Sequence, residues 1–229
     1  MIEWLLLAVF LAGFALLANY KKVLDTKGIA AALALGVLSF ILGMRSEVGA
    51  WPALGVIVLF FVPGEIVTRW ARTLKGPKHE VRGVENIVGN AGVALIALLF
   101  QQPIGFFAAM SCALSDTFSS EIGMLSKKQP WDILSWKKVK RGVNGAISLL
   151  GEGAALLGAG IMALAYWVFF SSMTGAVMVL FFGFFGQLVD SWLGAKWEEK
   201  RKLNNTHVNF LSTAAAAVLA VLIAMALHI

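Results

Sequence analysis

Asn86 to Leu125 reads NIVGNAGVALIALLF, then Gln101-Gln102, then PIGFFAAMSCALSDTFSSEIGML from Pro103 onward. Whether this stretch is two membrane spans or a re-entrant hairpin decides the fold. Its first half, Asn86–Phe100, is shorter than the roughly 20 apolar residues that a spanning helix needs. Pro103 nevertheless opens a second apolar run, Pro103–Leu125, at once. Three apolar stretches precede the pair, Glu3–Tyr20, Ile29–Met44 and Trp51–Thr68; three follow, Gly145–Phe170, Thr174–Ala195 and Asn209–Ala226. Numbered one to seven, the connections divide sharply by charge. The odd ones hold Lys21, Lys22 and Lys27; Arg69, Arg72, Lys75, Lys78 and Arg82; Lys127, Lys128, Lys137, Lys138, Lys140 and Arg141; and Lys196, Lys200, Arg201 and Lys202. The even ones hold only Arg45. That alternation survives only if both halves of Asn86–Leu125 cross. Positive connections are retained in the cytoplasm. The expectation is therefore an all-α polytopic membrane protein of about eight transmembrane helices, both termini outside, in the plasma membrane.

Composition agrees. Of 229 residues, 59% are hydrophobic and 14% charged, too apolar for a soluble domain of this length. The first stretch carries acidic Glu3 and no basic n-region, so it is expected to stay as a helix. The single cysteine, Cys112, excludes an intrachain disulfide and a cysteine-based metal cluster. A net charge of +6 suits anionic lipid or an anionic substrate. No nucleic-acid module is visible. The chain reads as a single transmembrane domain over 1–229, with lipid-facing scaffold helices over 3–44 and polar, site-forming helices over 51–226.

The polar residues at membrane depth fall in stripes. Asp116, Ser119, Ser120 and Gly123 stand at i, i+3, i+4 and i+7 on the fifth helix. Asn144, Ser148, Gly151 and Glu152 share one face at i, i+4, i+7 and i+8 on the expected sixth, and Gly183, Gly186, Gln187, Asp190 and Gly194 at i, i+3, i+4, i+7 and i+11 on the seventh. Asn86 and Asn90 mark the fourth, Asn209, Ser212 and Thr213 the eighth, and Glu65 the inner end of the third. Gly and Ser faces are ordinary close-packing surfaces. Carboxylates at depth are costly and count as functional. No Lys or Arg sits inside a helix at the depth of Asp116 and Asp190, so a bound cation is the natural partner. Mg²⁺ takes one or two carboxylates, keeps waters and binds substrate phosphates. Glu121 lies about 140° around an ideal helix from Asp116 and is not expected to share its face; it can instead meet Lys127 or Lys128 at the interface. The segment Lys140-Arg141-Gly142-Val143-Asn144-Gly145 reads as a basic glycine turn entering a helix N-terminus, an arrangement that receives anions. His79, His207 and His228 form no metal-ligand spacing.

Four blocks carry a resemblance. Ser115-Asp116-Thr117-Phe118-Ser119-Ser120-Glu121-Ile122-Gly123, Gly142-Val143-Asn144-Gly145-Ala146-Ile147-Ser148-Leu149-Leu150-Gly151, Asp190-Ser191-Trp192-Leu193-Gly194-Ala195 and Val208-Asn209-Phe210-Leu211-Ser212 resemble, in order and spacing, the membrane family called domain of unknown function 92. That family includes plant phytyl-phosphate kinase and animal transmembrane protein 19. The chain departs from its pattern at Asn86, Trp131, Val143 and Glu152. The resemblance implies phosphoryl transfer from a nucleoside triphosphate, CTP or ATP, to an isoprenoid monophosphate. The catalytic set expected is Asp116, Glu121 and Asp190, with Asp116 and Asp190 holding Mg²⁺. The substrate- and nucleotide-binding set is Asn90, Ser119, Ser120, Lys140, Arg141, Gly142, Asn144, Gly145, Ser148, Ser191 and Asn209. Two other activities fit the same acids: a proton- or ion-coupled lipid transporter, and a CTP-dependent lipid cytidylyltransferase. No halves with paired broken helices, as in many transporters, are visible.

Overall fold

The structure is a computed structural model that describes residues 1–75 and 84–229. Lys78, His79 and Arg82, and the side chains of Lys75 and Asn86, lie outside the described residues. The chain is an all-α polytopic membrane protein. Its helices are α1 (Ile2–Tyr20), α2 (Thr26–Met44), α3 (Ala50–Lys75), α4 (Val84–Leu99), α5 (Pro103–Gly123), α6 (Leu149–Phe170), α7 (Met173–Leu193) and α8 (Asn205–Leu227). Two short strands, β1 (Trp131–Asp132) and β2 (Ala146–Ile147), pair antiparallel within the α5–α6 connection.

Asn86–Leu125 is thus two helices. A three-residue turn joins them, with Gln101 in the left-handed region (φ 54°) and Gln102 N donating to Ala97 O at 2.8 Å. The sixteen residues of α4 rise about 24 Å, short of the roughly 30 Å hydrocarbon core. At twenty-one residues, α5 is long enough to cross. Among the described residues six helices are long and apolar enough to cross on composition, α1, α2, α3, α6, α7 and α8, and α5 is not one of them. The reason is its position. α5 is the central helix, packed against α3, α4, α6, α7 and α8, and every residue from Ile104 to Ser115 is buried. A helix that meets protein on all sides can carry hydroxyls and acids that lipid would exclude. Ser115 Oγ donates across to Ala155 O at 2.9 Å. At Gly158, α6 approaches so closely that an added Cβ would lie 2.9 Å from Leu114 O. By contrast, α1 buries only Leu7 and Ala18.

Three boundaries differ from the sequence reading by four residues or more. α3 runs seven residues past Thr68, because nothing from Arg69 to Lys75 breaks a helix and Arg69 pairs with Glu65 one turn back at 2.6 Å. α6 begins at Leu149 rather than Gly145, because β2 intervenes and Ser148 is the N-cap. α8 begins at Asn205, four residues before Asn209, where Asn204 and His207 form a reciprocal capping box.

The basic connections gather at one end. Arg69 Nη2 donates to Lys21 O at 2.9 Å, tying the first connection to the third. Gly145 lies on Ser191 and Ala195, tying the fifth to the seventh.

Candidate functional site

At that basic end a cavity of about 420 Å³ opens among seven elements, the last a turn after α7 that holds Gly194 and Glu198, within the size range of small-molecule sites. α5 supplies Asp116, Ser119, Ser120, Glu121 and Gly123; α7 supplies Gln187, Asp190 and Ser191; α3 supplies Thr68 and Arg72. Asn90 comes from α4, Asn205 and Asn209 from α8, and Arg141–Ala146 with Ser148 from the α5–α6 connection.

The acids converge from two helices. Asp116 on α5 and Asp190 on α7 lie within electrostatic reach of one another. Asp190 Oδ2 accepts from Ser212 Oγ at 2.8 Å, and Ser212 is itself buried on α8. That contact fixes the carboxylate from a third helix. Glu121 lines the same cavity without any break in α5. The cavity wraps around the C-terminal end of α5, so it reaches both the Asp116 face and the face 140° away. Glu65 is not a lining residue; its carboxylate is engaged by Arg69.

Amides complete the polar wall. Gln187 Nε2 donates to Ser119 Oγ and to Ser191 Oγ, each at 3.2 Å. Its Oε1 is buried with no hydrogen-bond partner, as is Asn209 Oδ1. Both residues are almost fully buried, at 1% and 4% exposure. Glu152, which faces Gln187 from the first turn of α6, also has both carboxylate oxygens buried without a hydrogen bond. Orphaned buried acceptors are rare and costly. Among the described residues no group of three or more His, Cys, Asp and Glu is placed to hold a metal. Two carboxylates and two orphaned amide oxygens do line the same cavity, and oxygen donors are the kind that a hard divalent cation takes.

The glycine turn is part of the cavity but not of a helix start. Gly142 (φ 82°) and Gly145 (φ 79°) lie in the loop that leads into β2, the strand paired with β1. The N-terminus of α6 follows after Ser148, whose Oγ already accepts from Gly151 N at 3.1 Å. The helix end therefore caps itself, and the expected helix-dipole cradle at Gly142–Gly145 is replaced by a hairpin loop. The loop needs glycine at 145: a Cβ there would stand 2.7 Å from Ser191 O and 2.9 Å from Ala195 Cα. Nearby, Asp132 Oδ1 accepts from Ser135 N at 2.7 Å, and the Ser135 contacts hold its carboxyl below the usual carboxylate range. Of the basic pair, Arg141 lines the cavity and donates to Lys127 O at 3.0 Å, whereas Lys140 is exposed and outside it.

Lys140 is the one expected site residue that the cavity leaves out. Asn144, Ser148, Asn90 and Asn209 all line it, as do the acids and serines. The sequence reading missed Thr68, Arg72, Glu198 and Asn205. Thr68 and Arg72 stand at i and i+4, so the stripe rule would have found them had α3 been carried past Thr68. Glu198 is the last residue of a π-helical turn, Gly194–Glu198, after which Glu199 N donates five residues back to Gly194 O at 3.0 Å. No 3.6-residue pattern anticipates that turn, a feature that recurs at functional sites.

The family model for integral membrane protein DUF92 matches residues 9–217. The chain belongs to this family. Two DUF92-like relatives are uncharacterised membrane proteins. One, from Methanocaldococcus jannaschii, is 31% identical over 91% of this chain and 89% of its own length. The other, from Synechocystis, is 30% identical over 93% and 86%. The chloroplast protein VTE6 of Arabidopsis thaliana is 29% identical over 94% and 69%. No solved structure matches the chain. Within the four blocks that carried the resemblance, Asp116, Ser120, Glu121, Asn144, Ser148, Asp190 and Asn209 all line this polar cavity.

Proposed function

We propose that this DUF92 protein is a membrane phosphotransferase that moves the γ-phosphoryl group of a nucleoside triphosphate, CTP or ATP, onto an isoprenoid monophosphate. The bond between the γ-phosphorus and its bridging oxygen breaks. A bond from an oxygen of the lipid phosphate to that phosphorus forms, leaving a prenyl diphosphate and a nucleoside diphosphate. The observation that supports the reading best is the meeting of Asp116, Asp190 and two orphaned amide oxygens with Arg72 and Arg141 in one cavity at the basic end. Phosphoryl transfer asks the protein for positioning and charge neutralisation, and little else.

Asp116 and Asp190, with Gln187 Oε1 and Asn209 Oδ1, would hold Mg²⁺, which neutralises phosphate charge and aligns the donor. Arg72 and Arg141 present guanidinium groups suited to phosphate oxygens. Ser212 holds the Asp190 carboxylate in place. Ser119 and Ser191 hold the Gln187 amide with its oxygen free. The glycine loop at 142–145 offers backbone at close approach to a ligand. By the positive-inside rule this end faces the cytoplasm, where the nucleotide is.

The test is a product assay on purified protein in lipid vesicles. ATP, CTP, GTP and UTP are offered with phytyl, geranylgeranyl and undecaprenyl monophosphates, and products are identified by mass. A nucleotide-dependent prenyl diphosphate is expected. Passage of unchanged lipid across the bilayer without nucleotide would make the protein a translocase. A CDP-lipid with released pyrophosphate would make it a cytidylyltransferase.

A further inference from the structure

A second cavity, also about 420 Å³, lies between α1, α2 and α3 and reaches α4 at Ile87 and Ala91. Every side chain lining it is apolar, from Phe10 and Phe14 on α1 to Phe60 and Phe61 on α3. It exists because α1 is held at a few points only. Trp4 meets Phe40 edge-on at 5.6 Å, Phe14 meets Phe61 at 5.4 Å, and Leu7 and Ala18 are buried. Between these points Gly13 lines open space, with no atom within 4 Å of an added Cβ.

The groove ends close to the polar cavity on two helices, although no residue lines both. On α3, Phe61 lines the groove and Thr68 the polar cavity. They share a face at i and i+7, about 10 Å apart along the axis. On α4, Ala91 lines the groove and its neighbour Asn90 the polar cavity. A molecule whose phosphate head lay among Asn90, Thr68 and Arg72 would have an apolar groove for its tail about 10 Å along α3.

Resting on the kinase reading, we propose that the α1–α4 groove binds the single isoprenoid chain of the phosphate substrate, so that the first two helices select substrate rather than serve only as scaffold. Lipid tails are as apolar as the groove, so entry gains little hydrophobic free energy. The groove's contribution is shape and placement of the head group.

The test uses full-length protein in vesicles and a geranylgeranyl monophosphate carrying a diazirine in its tail. Photolabelling should fall on α1–α3 groove residues. Gly13→Phe, which fills the open space, should cut labelling about tenfold, a step of the size seen when a pocket gains or loses a small apolar group. Gly55→Phe, also at a position with no neighbour within 4 Å but outside the groove, should leave labelling unchanged. Labelling elsewhere, labelling unaffected by Gly13→Phe, or equal labelling by a diazirine-tailed phosphatidylglycerol would overturn the proposal. Turnover is measured separately. A chain that labels the groove but forms no diphosphate retires the kinase reading and leaves the groove standing.

Discussion

Asp190 receives the hydroxyl of Ser212 at 2.8 Å, and Asp116 faces it across the cavity from the central helix. At this scale the clearest prediction is Asp116→Asn, which removes charge and keeps shape. Turnover should fall at least about a hundredfold, because charge placement supplies much of the barrier lowering in such sites. Asp190→Asn should behave alike, and both proteins should remain folded, since a neutral amide is cheaper at membrane depth than a carboxylate. Turnover within a fewfold of wild type, measured on protein that elutes normally, would remove the residue from the site. Asp116, Asp190, Ser119, Ser120, Ser148 and Asn209 were legible from helical spacing, because a polar residue in a spanning segment is costly enough to carry information, whereas Glu121 and Ser191 came with the family resemblance. Arg72 was not, since as one of many basic residues it was read only as a marker of topology.

Elements moved more than residues did. The expected helix start at Gly145 proved to be the end of a hairpin, because two short strands and a serine cap leave no periodic signal. This changes which basic residue matters. Arg141→Ala should raise the nucleotide KM by about tenfold or more, the loss of one charge-assisted contact to phosphate. Lys140→Ala should leave it unchanged. Equal effects of the two in steady-state kinetics would mean that the loop acts only through general charge. Gly145→Val should displace the loop from α7, since its Cβ would meet Ser191 O and Ala195. Faster tryptic cleavage between Lys127 and Arg141 would report that displacement, and an unchanged cleavage rate would show that the loop tolerates the side chain. The length of α3 was also out of reach, as apolarity ends at Thr68 while the helix does not. Only the central burial of α5 explains why its hydropathy understates its role.

For the whole molecule, charge asymmetry and apolar runs were enough for eight helices, since those signals reflect the bilayer rather than fine packing. The same asymmetry predicts orientation. With Cys112 replaced, a cysteine at exposed Lys137 should resist an impermeant thiol reagent in intact cells, and one at exposed Gln101 should react. Labelling at Lys137 from outside would invert the topology and put the cavity on the wrong side for a nucleotide. The central claim, phosphoryl transfer to a prenyl phosphate, is tested most directly by isotope. Vesicles holding the protein, Mg²⁺ and geranylgeranyl monophosphate are given a nucleoside triphosphate labelled with ¹⁸O in its γ-phosphoryl group, and the lipid product is weighed. The account predicts a prenyl diphosphate whose terminal phosphoryl carries the label, absent with Asp116→Asn. A product carrying the unlabelled nucleotidyl group, or lipid of unchanged mass on the far side of the bilayer, would contradict it.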